Sequence, residues 1–92
     1  MSSLPRRAVI EHDARLDILC CLKDGPLSVI QVSDRARQDP RITEHHIEIL
    51  GTFGVVRKKD GGNGQLLYVA RLDEQPDWVR EAVEAHRGTL AK

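Results

Sequence analysis

Six basic side chains, Arg35, Arg37, Arg41, Arg57, Lys58 and Lys59, fall within 25 consecutive residues of this 92-residue chain, against Asp39, Glu44 and Glu48. That segment carries a net +3, whereas the whole chain, with 14 Lys plus Arg and 14 Asp plus Glu, is formally neutral. Cations gathered in this way suit phosphate groups, because each neutralised phosphate releases a condensed counterion. Overall neutrality excludes a uniformly basic protein that coats nucleic acid through bulk charge.

The other reactive side chains come as adjacent pairs. Cys20 and Cys21 can close on each other only as a strained eight-membered ring, so no disulfide framework exists and a reducing, cytoplasmic setting fits. Lying about 100° apart on a helix, one thiol is expected to face the core and the other a partner. Packing is their expected role, with soft metal ligation or oxidation sensing across a dimer as the chemical alternatives. No serine or cysteine has a matched His and Asp in a recognisable motif, and the carboxylates are dispersed. Gly61-Gly62-Asn63-Gly64 lacks the lysine and the following helix of a phosphate-binding loop. An enzyme is therefore not expected, and no cofactor is implied.

The elements that must position these groups follow from periodicity and punctuation. Ala8 to Lys23 reads as one helix, with Leu16, Leu19, Cys20 and Leu22 near one face, ended by Asp24-Gly25-Pro26. Ile10, Ala14 and Cys21, with Ile18 between the stripes, form a second apolar stripe. A helix apolar on two sides in a small domain touches a partner, and this stripe is assigned to a homodimer interface. Ser28 caps a short second helix from Val29 to about Arg37, and Gln38-Asp39-Pro40 breaks it. A third helix starts at Ile42 or is capped by Thr43, and runs to Phe53 before Gly54. Its apolar arc holds Ile42, His46, Ile47, Ile49, Leu50 and Phe53, and its outer arc holds Glu44, His45, Glu48, Gly51 and Thr52. Val55 to Lys59 and Gln65 to Ala70 then read as two strands about a glycine turn. Pro76 opens a last amphipathic helix that reaches about Arg87 before Gly88, with Trp78, Ala82 and Ala85 on one face.

Length and composition bound what this order can mean. The expectation is a single domain over residues 1–92, with about 8–87 as its folded part. Hydrophobic residues make up 40% and only Phe53, Tyr68 and Trp78 are aromatic, which gives an aliphatic core and counts against a base-stacking single-strand binder. No apolar run approaches the roughly 18 residues of a membrane span, and Met1 to Arg7 is not followed by a signal-peptide core.

The fold expected is mainly α with a β-hairpin wing (α+β), a winged helix-turn-helix in the order α-α-α-β-β-α. In that architecture the third helix enters the major groove of double-stranded DNA and the hairpin lies on the neighbouring backbone. Arg41 and Thr43 then enter the groove first, although a solvated arginine and an N-cap explain the same residues. Glu44 and His45 face outward beside them, Glu44 as an acceptor for a cytosine amine and His45 for a base or phosphate. His46, in the apolar arc, is expected to be a core histidine. Arg57, Lys58 and Lys59 suit phosphates, while a lysine-protected edge strand is the plainer reading.

The chain resembles the ArsR-type winged-helix transcriptional regulators. Asp13 to Leu19 resembles the family's first-helix signature, Gly25-Pro26-Leu27-Ser28-Val29 its turn into the second helix, and Thr43 to Leu50 its recognition-helix pattern. Gly54-Val55-Val56 and Leu67-Tyr68-Val69 complete the wing, so the likeness spans about residues 8–87. The resemblance implies a cytoplasmic homodimer, joined through its first and last helices, that acts as a repressor at a two-fold-related operator, with repression relieved by a ligand or metal. On that footing Trp78, Ala82 and Ala85 join Ile10, Ala14 and Cys21 as interface residues. The chain departs from the family in its sensing chemistry. Ser28 to Asp34 contains no cysteine where many relatives hold a metal pair, and Asp77, Glu81, Glu84 and His86 do not reproduce the spacing of the family's second site. No metal is expected, and the effector is open. The competing function is a winged-helix module whose acidic third helix meets another protein rather than DNA.

Overall fold

The computed structural model describes the backbone of residues 7–90 and the side chains of residues 7–87; the N-terminal stretch 1–6 read above lies outside it. The elements are α1 (Arg7–Ile10), α2 (Asp13–Lys23), α3 (Val29–Ala36), α4 (Pro40–Thr52), β1 (Val56–Asp60), β2 (Leu66–Ala70), a 3-10 turn (Leu72–Glu74) and α5 (Asp77–Leu90).

The single helix expected from Ala8 to Lys23 is broken in two. His12 is extended (φ −113°, ψ 125°), and its Nδ1 accepts the Ala14 backbone N–H at 3.2 Å, which caps α2. Histidine is an unusual N-cap, and the apolar period runs on through it, so periodicity alone does not reveal the break. Helix α3 has a full capping box: Ser28 Oγ accepts from Gln31 N, and the Ser28 N–H donates to Gln31 Oε1. It ends at Arg37, which takes the left-handed conformation (φ 55°) without being glycine.

Pro40 is the first residue of α4 rather than part of a breaker, and Asp39 Oδ1 caps the helix by accepting from Arg41 N at 2.8 Å. Proline is favoured at this position because its missing donor is unused there, and Asp-Pro is therefore a start signal as much as a stop. The last helix runs through Gly88 to Leu90, past the stop expected at Arg87.

The two strands pair antiparallel, with Val56 opposite Ala70 and Lys58 opposite Tyr68. Gly62 and Gly64 turn the chain with positive φ, as does Asn63 between them. An isolated bridge adds a third short partner to the hairpin. Leu27 N donates to Tyr68 O at 3.1 Å and Tyr68 N donates to Leu27 O at 2.8 Å, fastening β2 to the turn between α2 and α3.

The core joins Ile10, Leu16, Ile18, Leu19, Cys20, Leu22, Val32, Ile47, Leu50, Val55, Val79 and Val83 with Leu27, Val56 and Tyr68. Ile10, read above as an interface residue, is 0% exposed within the chain itself. Ile42, read as part of the apolar arc of the third helix, is instead 53% exposed. Deleting buried aliphatic atoms costs both transfer and cavity energy. Replacing Ile10 by alanine is therefore expected to lower the urea-unfolding free energy by about 2 to 5 kcal/mol. Ile42→Ala, at the surface, should stay within about 0.5 kcal/mol, and equal losses from the two would contradict this packing.

Candidate nucleic-acid interface

Helix α4 is oriented by its two ends and by the helix beneath it. In the turn before it, Gln38 Nε2 donates to Ala14 O of α2 at 3.0 Å, and Gln38 Oε1 accepts from Thr43 Oγ1 at 3.2 Å. Gln38 thus ties α2, the turn and the first coil of α4 together, a role that nothing in its residue type announced. Thr43 is 0% exposed, on the side of α4 that carries His46, Ile47 and Leu50. Its hydroxyl is spent on Gln38, so the groove-facing role read for Thr43 is corrected to a structural one.

Arg41, Glu44, His45 and Glu48 are exposed, as read. His46 is buried, and Arg15 Nε donates to its Nδ1 at 3.2 Å while Arg15 Nη1 donates to Val9 O. Burial and the positive charge of Arg15, with His12 and His45 nearby, hold the His46 imidazole below its ordinary value.

Between α4 and the hairpin runs a groove of about 530 Å³, lined by Ile47, Glu48, Gly51, Thr52, Val56, Arg57, Lys58 and Tyr68. Lys58 shares a strand face with Val56, by the two-residue period of a strand, and stands opposite Tyr68 in the ladder. Tyr68 is 8% exposed. Burial, then the carboxylates of Glu44 and Glu48, push its phenol up, so the ring lies within electrostatic reach of the outer face of α4. Tyr68 was read only as part of a wing motif; the apolar residues around it in β2 hid its place at the groove.

The cationic cluster of the sequence divides in space. Arg57 Nη2 donates to Glu74 Oε1 at 2.9 Å, and the same carboxylate receives Arg71 Nη2 at 2.5 Å. Lys58 and Lys59 are exposed and have no ion-pair partner among the described residues. Arg35 and Arg37 lie elsewhere, lining a second groove of about 630 Å³ with Asp17, Cys20, Cys21, Asp24 and Ala36.

The residues read as an interface also separate. Ala14 and Cys21 are half-buried; Cys21 lines the second groove, beside Asp17 and Asp24 of its own helix. Trp78 and Ala82 are half-buried against the core, with the Arg7 guanidinium 4.8 Å above the Trp78 ring, and Ala85 is exposed. Charges near the C-terminus find individual partners: Asp77 with Arg80, Glu84 with Lys23, and His86 Nε2 with Asp17 Oδ1 at 2.5 Å. Among the described residues no group of three or more His, Cys, Asp and Glu is gathered for a metal ion. No helix among them is long and apolar enough to cross a membrane.

Comparison with models of protein families finds no match, and comparison with curated proteins finds none either. Solved structures do match. The chain is similar to the transcriptional repressor BigR from Xylella fastidiosa, with a TM-score of 0.67 and 19% identity over 85% of this chain and 74% of that one. It is also similar to HlyU from Vibrio cholerae N16961, with a TM-score of 0.68 and 22% identity over 92% of this chain and 87% of that one. The fold is a winged helix-turn-helix. In its terms α3 and α4 are the helix-turn-helix, β1 and β2 the wing, and the groove lined by Glu48, Lys58 and Tyr68 lies where helix and wing meet.

Burial disfavours the thiolate form of both cysteines of this winged helix. Cys20 Sγ donates to Val83 O of α5 at 3.5 Å. Burial, with Cys21 and Asp17 adding to it, pushes the Cys20 thiol up to about 11, and burial raises Cys21 as well. Alkylation proceeds through the thiolate. At mildly alkaline pH, Cys20 in the native protein is expected to react with iodoacetamide at least about tenfold more slowly than in concentrated urea. Peptide mapping of the alkylated sites checks this, and equal rates would make Cys20 a reactive thiol.

Proposed function

We propose that this chain is a non-enzymatic, sequence-specific DNA-binding regulator of transcription that acts in the cytoplasm as a homodimer, with α4 in the major groove and the hairpin on the flanking backbone. The observation that carries the reading is the shared groove of α4 and the wing. Glu48, Gly51 and Thr52 of α4 line that groove with Arg57 and Lys58 of the hairpin, Lys58 free of carboxylate partners among the described residues, and Arg41, Glu44 and His45 are exposed on α4 towards its N-terminus. One duplex can meet both elements at once. Repression is the mode favoured by the likeness to BigR, which is described as a transcriptional repressor.

Arg41 and His45 then contact bases or phosphates, Glu44 accepts from a cytosine amine, and Lys58 and Lys59 take phosphates. Arg57 reaches a phosphate by exchanging its exposed pairing with Glu74, since such pairs hold little net energy. The dimer face retains Ala14, Cys21, Trp78, Ala82 and Ala85 and omits Ile10, which the core already covers. A two-fold dimer presents its two reading helices about 34 Å apart, one turn of the duplex.

Duplexes selected from a random pool provide the test. Their binding is expected to weaken steeply with salt, by a log-log slope of roughly 0.9 per phosphate contacted. Lys58→Ala and Lys59→Ala should each reduce that slope by about one and weaken all sequences alike. A flat salt response would favour the protein-contact module instead, in which Glu44 and Glu48 meet a partner protein. Sedimentation at micromolar concentration should show twice the chain mass, and a strict monomer would remove the dimer.

A further inference from the structure

Arg15 and His46 are joined in a way that works for only one protonation state of the imidazole. A guanidinium Nε–H donates and has no lone pair with which to accept. His46 Nδ1 accepts that bond at 3.2 Å, which requires Nδ1 to carry a lone pair. The surroundings offer no compensation for a second proton. The charged and titratable groups that act on His46 are Arg15 and His12 from the α2 side and His45 from its own helix, and all are basic. The His12 ring centre lies 4.9 Å from that of His46, and the His45 ring centre 5.7 Å. From α1, Val9 supplies a backbone carbonyl that is taken by Arg15, while Arg7 pairs with Glu11 and covers Trp78.

We propose that Arg15 and His46 form a proton-sensitive latch that seats α4 on α2, and that acidification opens it by placing a proton on His46 Nδ1. The incoming proton replaces the lone pair that Arg15 uses, so the hydrogen bond is lost. Two cationic groups are then left in contact within a part-buried site. The structure relieves this by moving the ring out, and with it the helix that presents Arg41 and His45. His46 lies between Thr43 and Leu50 on the buried side of α4, so it cannot swing to solvent without lifting the coils on either side. The latch assumes nothing about DNA; its consequence, weaker duplex binding in acid, rests on the DNA reading. Measurements on the free protein therefore separate the two.

The native state holds His46 below its ordinary value, so the unfolded chain binds more protons as the pH falls through about 6.5. The stabilisation is complete above that pH and is lost progressively below it, by up to about tenfold in the unfolding constant per pH unit for one proton. His46→Gln keeps an acceptor for Arg15 that does not titrate.

The experiment compares urea unfolding and amide exchange of the wild type and His46→Gln between about pH 7.5 and about 5.5. The wild type should lose stability in this window, with amides of α4 losing protection ahead of those of α5, and His46→Gln should remove most of that response. In parallel, Arg15→Met keeps the stem and removes the charge, and the His46 ring signal should then titrate at higher pH than in the wild type. Identical pH responses of the wild type and His46→Gln would overturn the latch. Should His46→Gln fail to fold, an unchanged His46 titration in Arg15→Met would overturn it alone.

Discussion

Helix α2 packs against α1, α3, α4, α5 and β2, so the other helices and the inner strand of the hairpin are placed by reference to it. That arrangement requires a helix apolar around much of its circumference. Leu16, Ile18, Leu19, Cys20 and Leu22 are buried, and these positions do not fit on a single stripe. One side takes α5 through Cys20 and Val83, and the other receives the α3–α4 turn and α4 through Ala14 O and Arg15. A small domain with few aromatic residues gains its buried area by surrounding one helix in this way. The constraint also explains Ile10. A second apolar stripe on α2 and α1 is what a central helix needs, and it is no signature of a partner chain by itself.

The order of elements was legible because it is written in local chemistry. Ser28, Gly54, the glycine-rich tip of the hairpin and Pro76 each mark a boundary through backbone conformation or hydrogen bonding. Elements misjudged in length failed for local reasons too. His12 caps α2 through an atypical acceptor, and Pro40 was weighed as a breaker when Asp39 before it had already prepared a helix start. A change of one coil in where α4 begins decides whether Thr43 caps the helix or lies beneath it. With α4 starting at Pro40, Thr43 lies beneath it.

The candidate site was less legible, because its supports join residues distant in sequence. Arg15 meets His46 across 31 positions and Gln38 meets Ala14 across 24. Neither pairing has a spacing rule, since helix crossing decides which side chains meet. The burial of His46 was readable from its place in the apolar arc, but the arginine that satisfies it was not. Tyr68 illustrates the same limit. The unbroken apolar run from Leu66 to Ala70 has no alternation to mark Tyr68 as inward, and its bridge to Leu27 and its closeness to Glu44 and Glu48 depend on how the hairpin meets the α2–α3 turn and α4.

Charge provides the last step. A net +3 between Arg35 and Lys59 suggests one basic patch, yet the fold sends Arg35 and Arg37 to a groove shared with Asp17 and Asp24 and leaves Arg41, Lys58 and Lys59 toward α4 and the wing. Arg57 stays with the wing, but Glu74 from beyond the hairpin returns to hold it. Acid that balances the chain in sequence therefore balances it in space, close to the cations it offsets. Long-range attraction to a polyanion is weak under such an arrangement, since opposite charges within a Debye length of about 8 to 10 Å cancel at a distance. What remains is short-range: a few unpaired cations, two carboxylates and a histidine at fixed positions on α4 and the wing. Binding of that kind discriminates through fit at contact. On the proposed DNA reading, such contacts suit a protein that docks at a chosen duplex rather than one that accumulates along any duplex.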